Sequence, residues 1–110
     1  MASEQSFVDY IVSQLENVGE ISARKMFGEY ALYKGNKLFA LVCDNKLFVK
    51  PTSEGRSFIV DVHESPAYPG AKPAFLIEEK LEDKNWLCTL VNITVAALPE
   101  PKPKKKKIPK

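Results

Sequence analysis

Histidine, cysteine and long apolar runs are scarce in this sequence, and each scarcity excludes a class of protein. The chain has one histidine and two cysteines among 110 residues. A structural zinc site normally needs four such ligands, so we expect no structural zinc. No run approaches the roughly 18 to 20 consecutive apolar residues of a membrane-spanning helix. The first ten residues lack the basic-then-apolar order of a signal peptide. We therefore expect an intracellular, cytoplasmic protein with no membrane partner.

Catalytic motifs are also missing. His63 lies in a predicted loop, where a solvated role is the simpler interpretation of a lone histidine. The sequence has no Gly-x-Ser-x-Gly, no phosphate-binding glycine loop and no Cys-x-x-Cys. We expect no catalytic residue, no cofactor and no enzyme activity, with catalysis by an unrecognised set of residues as a minor alternative.

The remaining reactive side chains have structural interpretations. Cys43 and Cys88 lie in apolar runs, so we expect buried, reduced thiols. An acidic cluster at residues 78–83 precedes a predicted helix, where negative charge favours the helix N-terminus. We therefore expect no metal site there.

Positive charge is concentrated at the C-terminus. Residues 101–110 contain six lysines and no acid, whereas residues 1–100 hold 10 basic and 14 acidic residues. Lysine and proline in that proportion cannot form a core, so we expect a domain over residues 1–99 and a disordered tail over 100–110. Such a tail can neutralise nucleic-acid phosphates without reading base sequence. The candidate contacts are Lys102, Lys104, Lys105, Lys106, Lys107 and Lys110.

Apolar spacing and turn residues predict an α+β domain. Helical spacing and the long apolar stripe after Asp83 indicate helices, and Gly35-Asn36 and Asp44-Asn45 indicate tight hairpins. The predicted order is a helix over 3–18, strands near 21–26, 29–34, 37–43 and 46–50, a short helix over 52–60, a loop over 61–72, an edge strand over 74–77 and a helix over 83–98. The strands after Gly28 should form an antiparallel meander with 37–43 at its centre, and the C-terminal helix should pack on the sheet.

One motif stands out within the strands. It comprises Arg24, Met26, Phe27, Gly28 and Tyr30, followed by Phe-Ala-Leu-Val at residues 39–42 and Leu-Phe-Val-Lys at residues 47–50. Gly28 suits a sharp turn, and the cation Arg24 must extend its charged end to solvent, pair with an acid such as Glu29, or face a ligand. The motif is therefore structural or close to a ligand.

These residues resemble the N-terminal domain family of the TfoX/Sxy competence regulators, over about residues 5–98. The resemblance implies an α+β domain. Full-length members of that family are similar to transcriptional coactivators that act with a cyclic-AMP receptor protein, and they carry a second, helical domain. The present chain matches only the N-terminal domain and adds the lysine-rich tail.

Two functional hypotheses follow. The first is a noncatalytic regulatory or interaction domain, with nucleic acid (through the tail) or a regulatory protein as its partner. The second is a small-molecule or peptide-binding domain, with Arg24 as charge anchor in a pocket lined by Met26, Phe27, Tyr30, Tyr68 and Trp86. Sheet edges and the broad apolar helix face leave both a monomer and a homodimer open.

Overall fold

The computed structural model describes residues 4–26 and 29–98 of the chain. These residues form an α+β domain, as predicted. The elements in order are α1 (Gln5–Gln14), β1 (Ile21–Met26), β2 (Glu29–Lys34), β3 (Lys37–Cys43), β4 (Lys46–Val49), α2 (Ser53–Ile59), β5 (Glu64–Pro66), β6 (Pro73–Ile77) and α3 (Lys84–Ala97). The predicted tail and its lysines, the predicted turn at Phe27-Gly28 and the first residues of the predicted N-terminal helix lie outside the described residues.

The strands form one antiparallel sheet in the order β1-β2-β3-β4-β6-β5. The predicted meander is confirmed, and β3 lies in the interior of the sheet. The prediction of an edge strand over 74–77 is wrong, because β5 pairs with β6 on its outer side. Within the predicted loop, Glu64–Pro66 is long enough to form this short strand, and Pro66 stands at the sheet edge, where a missing N–H donor is tolerated.

A tight hairpin joins β3 to β4 and also fixes the start of α1. Asp44 and Asn45 have φ angles of 54° and 57°, which are typical of the two-residue turns that match strand twist. The Asn45 side-chain oxygen accepts a hydrogen bond from the Glu4 backbone N–H at 2.8 Å. Glu4 is the N-cap of α1 and makes no side-chain cap of its own, so the hairpin supplies the partner that this helix end needs.

The three α-helices cover one face of the sheet, and a short 3-10 helix at Glu16–Val18 follows α1. Val8 and Ile11 of α1 share a buried cluster with Leu87, Leu90 and Val91 of α3. The same cluster contains alternate residues of the strands, namely Tyr30, Leu32, Ala40, Val42, Leu47, Val49, Phe75 and Ile77. Gly55 of α2 lies against this layer too, since an added Cβ there would be 3.4 Å from Phe75 and 3.6 Å from Leu90. Hydrophobic burial on this face provides the main stabilisation of the domain.

The opposite face of the sheet carries a row of residues in register. They are Arg24, Ala31, Leu41, Phe48 and Leu76, one from each of β1, β2, β3, β4 and β6. Because side chains alternate along a strand, this row points away from the three helices. We call this surface the helix-free face.

Candidate functional site

Arg24 of the predicted motif lies on the helix-free face. Its guanidinium carbon is 5.5 Å from the centroid of the Tyr33 ring. Arg24 is exposed and Tyr33 is half-buried, so the ring holds the cation at the surface through a cation–π contact. The carboxylate of Glu29, the example of a partner acid for Arg24, accepts the Asp44 backbone N–H at 3.1 Å.

Tyr30 of the same motif points to the helix side. It is buried, and its hydroxyl donates a hydrogen bond to the Gln5 side-chain oxygen of α1 at 2.9 Å. The sheet register pairs Tyr30 with Lys25 rather than with Arg24, which places the two motif side chains on opposite faces. The Met26 side chain, Phe27 and Gly28 lie outside the described residues. Arg24 and Tyr30 therefore do not share a binding site.

The predicted aromatic pocket is not assembled from the residues proposed for it. Tyr68 lies in the loop after β5 with 55% of its surface exposed. Trp86 is in α3, where its ring centroid lies 5.5 Å from that of Phe58 in α2. Of the described members of that set, Trp86 alone lines a cleft of the structure, together with residues from outside the set.

This cleft lies where the end of α2, the end of β6 and the start of α3 meet. Its volume is about 320 Å³. The residues lining it are Ile59, Asp61, His63, Leu76, Ile77, Glu78, Glu79, Lys80 and Trp86. We call this site the Trp86 cleft. It combines apolar walls with charged groups around one aromatic side chain, which is the composition of many ligand sites.

Two hydrogen bonds, one between backbone groups and one from a backbone N–H to a side chain, hold the walls of the Trp86 cleft. The His63 carbonyl accepts a hydrogen bond from the Leu76 N–H at 2.8 Å, which continues the β5–β6 pairing and holds the loop after α2 against the sheet. On the other side, the Asp83 carboxylate accepts the Trp86 backbone N–H at 3.1 Å and caps α3. This cap fixes the first turn of the helix, which carries the indole ring.

Charged side chains in the Trp86 cleft are mostly acidic. Asp61, Glu78 and Glu79 contribute carboxylates, and Lys80 contributes an ammonium group. The Lys80 nitrogen lies 5.9 Å from the centroid of the Trp86 ring, within cation–π range. The indole face is therefore already in contact with a cation.

A strained turn borders the Trp86 cleft at Val60. Val60 has φ 71° and ψ −63°, and the Asp61 N–H donates to the Ile59 carbonyl at 2.8 Å. This is a γ-turn of the rarer, strained kind, and a β-branched residue is seldom found in it. The Val60 side chain is 81% exposed, so burial of that side chain does not compensate for the strain.

The two cysteines are buried and unpaired with each other, as the sequence predicted. The Cys88 thiol donates to the Gln14 carbonyl at 3.1 Å. Burial raises the pKa of the Cys43 thiol, and the negative charge of Glu29 raises it further. Within residues 4–26 and 29–98, no three His, Cys, Asp or Glu side chains are grouped so as to hold a metal ion.

Sequence reasoning missed the Trp86 cleft, although some of its residues had been singled out. His63 was interpreted as a solvated loop residue, and it is exposed as expected, but it lines the cleft. The acidic cluster was assigned to the helix N-terminus, and this holds for the capping residue Asp83. Glu78 and Glu79 line the cleft instead. The signal available in the sequence was the position of these acids between a strand and the only tryptophan.

Comparison with known proteins identifies a family and a relative of this chain. The family model for the TfoX N-terminal domain matches residues 13–98. A protein of Spirochaeta aurantia named "uncharacterized 12.7 kDa protein in trpE 5′ region" is 37% identical over 107 residues, covering 97% of this chain and 93% of that protein. Across the part of the chain that the structure describes, no helix has the length and apolar character needed to cross a membrane.

Proposed function

This chain belongs to the TfoX N-terminal domain family, and from that premise we propose that it is a noncatalytic interaction domain whose recognition site is the Trp86 cleft. The observation that carries the proposal is the convergence of apolar walls, carboxylates and one indole ring in a cleft of about 320 Å³. Cavities that bind small ligands typically have volumes of about 300 to 1,000 Å³ and are apolar with a few placed polar groups.

The positions of the lining residues support recognition. Ile59 ends α2, Leu76 and Ile77 end β6, and Trp86 stands in the first turn of α3. A bound molecule would therefore contact three separate elements of the fold. Such contacts stabilise the folded state because the unfolded chain does not bring the three elements together.

The turn at Val60 gives independent support. Strained backbone conformations cost about 1 to 3 kcal/mol each and cluster at binding and catalytic sites. Val60 immediately precedes Asp61, whose side chain lines the cleft. We therefore assign the strained turn to positioning this wall of the recognition site.

A thermal-shift screen of the full chain tests the proposal. A library of metabolites and short peptides should contain compounds that raise the melting temperature. At a ligand concentration of a hundred times the dissociation constant, the free energy of unfolding should increase by about 2.7 kcal/mol. Each hit is then measured against Glu79→Ala, which changes an exposed residue of the cleft, and against Tyr68→Ala, which changes an exposed residue outside it. We expect protection to change in Glu79→Ala only, weakening for cationic hits and strengthening for anionic ones. Equal protection of both variants would place the site elsewhere.

A second candidate function is nonspecific association with nucleic acid through the C-terminal lysines. It is favoured by the six lysines and no acids in residues 101–110. Each phosphate that a lysine neutralises releases counterions, so binding of this kind weakens steeply as salt is added. The two functions use different parts of the chain and can be tested separately.

A further inference from the structure

The charge balance of the Trp86 cleft indicates which ligands it favours. Three carboxylates line it, from Asp61, Glu78 and Glu79, against the single ammonium group of Lys80. An anionic ligand would add like charge to this set, whereas a cation would be attracted to it. A cleft lined mainly by one sign of charge concentrates ligands of the opposite charge more than an open surface does.

The aromatic ring of Trp86 in the cleft also favours a cationic ligand. The face of an indole carries negative electrostatic potential and attracts ammonium groups more strongly than phenyl or phenol rings do. Phe58 packs against the Trp86 ring at a centroid distance of 5.5 Å and an interplanar angle of 33°. This contact holds the ring in place, so that its orientation toward the cleft does not depend on a ligand.

Lys80 shows that a cation fits at this ring. Its ammonium nitrogen lies 5.9 Å from the Trp86 centroid while Lys80 itself lines the cleft and is exposed. A long exposed side chain can leave this position at little cost, since surface contacts of this kind contribute only about 0.5 to 1 kcal/mol. An incoming cation can therefore replace it.

Resting on the proposed function, we infer that the Trp86 cleft binds an alkylammonium ion and that Lys80 occupies the position of its cationic group when the cleft is empty. The ligand cation lies over Trp86 within reach of the carboxylates, and its carbon chain packs on Ile59 and Ile77. A small free amine and the lysine side chain of a peptide share this chemistry. A volume of about 320 Å³ admits either.

Calorimetric titration of the full chain with n-butylammonium chloride tests the inference, with n-butanol as the uncharged compound of the same length. N-acetyl-lysine methylamide in a parallel titration represents a peptide lysine. We expect saturable binding of the two cations and none of butanol. Stronger binding of the lysine derivative than of butylammonium identifies a peptide ligand, and the reverse order identifies a small amine; both orders support an alkylammonium site.

Variants of exposed residues provide the decisive comparison. Lys80→Met removes the competing ammonium group and should strengthen butylammonium binding about two- to fivefold. Glu79→Gln should weaken binding by a similar factor. Lys72→Met is the matched control, because it removes the same charge from an exposed residue outside the cleft, and it should leave the affinity within about 1.5-fold.

Two results would overturn the inference. One is binding of butanol as strong as that of butylammonium, and the other is an affinity for butylammonium that Lys80→Met leaves unchanged or lowers. If uncharged or anionic compounds from the screen bind at the cleft and neither cation binds, the inference of an alkylammonium ligand is rejected, whereas the proposal that the cleft is a recognition site is retained. If neither the cations nor any library compound binds there, both proposals fail.

Discussion

The Thr52 hydroxyl accepts the Gly55 N–H at 2.9 Å, and a Cβ added to Gly55 would lie 2.8 Å from that same oxygen. Thr52 is the N-cap of α2, and Gly55 is buried. A side chain at position 55 must therefore displace the cap. This relationship explains why α2, which leads to the Trp86 cleft, has a glycine in its first turn although glycine lowers helix propensity relative to alanine.

Gly55→Ala should accordingly lower the free energy of unfolding by about 1 to 2 kcal/mol, although glycine-to-alanine changes in helices ordinarily raise it. The reason is the loss of the Thr52 cap, whose oxygen the added methyl group would meet at 2.8 Å. Urea denaturation measures the change. In a Thr52→Ala background the same substitution should be neutral or stabilising, because no cap remains to be displaced. Equal destabilisation in both backgrounds would contradict the steric explanation.

Relief of backbone strain is expected at Val60. Val60→Gly should raise the free energy of unfolding by about 1 kcal/mol, since glycine adopts positive φ freely and the strain of about 1 to 3 kcal/mol exceeds the entropic cost of glycine. Thermal and urea unfolding measure this. Lys72→Gly is the control, because Lys72 is exposed in a loop and its φ is not positive; it should destabilise slightly. If Val60→Gly also destabilises, the turn is not strained.

The hydroxyl of Tyr30 links β2 to α1. Tyr30→Phe should lower the free energy of unfolding by about 0.5 to 1.5 kcal/mol, because the hydrogen bond to Gln5 is lost while the buried ring is kept. A double-mutant cycle with Gln5→Ala should show coupling between the two changes. Tyr68→Phe, on an exposed loop residue, should have no measurable effect. Additive effects of Tyr30→Phe and Gln5→Ala would show that the hydrogen bond contributes nothing.

Cys43 should react slowly with alkylating reagents in the native protein. Its pKa is raised by burial and by Glu29, so at a given pH it holds less thiolate than a free cysteine, and its labelling rate should rise only at higher pH. The unfolded thiol has a pKa of about 8.5, and the folded-state pKa is higher. Keeping Cys43 protonated therefore costs the folded protein nothing below a pH of about 8.5, and this contribution to stability is lost as the pH rises through the folded-state pKa. The stability advantage of wild type over Cys43→Ala should therefore shrink in alkaline buffer. Labelling of native Cys43 as fast as in urea would contradict this.

The C-terminal lysines supply a prediction about nucleic acid. If all six contact phosphates, the slope of log affinity against log salt for duplex DNA should be about −5. Replacing the six lysines with glutamine should remove both the affinity and the salt dependence. Fluorescence anisotropy with a labelled duplex measures both. Undetectable binding by the wild-type chain at about 50 mM salt would exclude the nucleic-acid function.

The fold was predictable because its signals are local. The Asp44-Asn45 turn and the alternating apolar residues of β2 to β4 specify neighbouring hairpins. The place of β6 was not predictable in the same way. It depends on pairing with β5, and the proline- and glycine-containing stretch at 61–72 gives no periodic signal for so short a strand.

The site was less predictable because it draws on segments that are distant in the sequence. Ile59, Leu76 and Trp86 meet only once β6 has joined the sheet and α3 has packed on it. The sequence motif suggested a different grouping, with Arg24 and Tyr30 together. The register of β1 and β2 pairs Met26 with Glu29 and Lys25 with Tyr30, and the pleat then sends Arg24 and Tyr30 to opposite faces. This was deducible from strand alternation alone.

Chemical-shift mapping tests most directly the claim that the Trp86 cleft is the recognition site. The ¹⁵N-labelled full chain is titrated with the tightest compound from the screen. We predict saturable shifts of the Trp86 indole N–H and of the Glu79 and Lys80 amides, with the same dissociation constant at all three. Shifts centred on Arg24 and Tyr33 of the helix-free face, with the Trp86 indole signal unchanged, would contradict the claim.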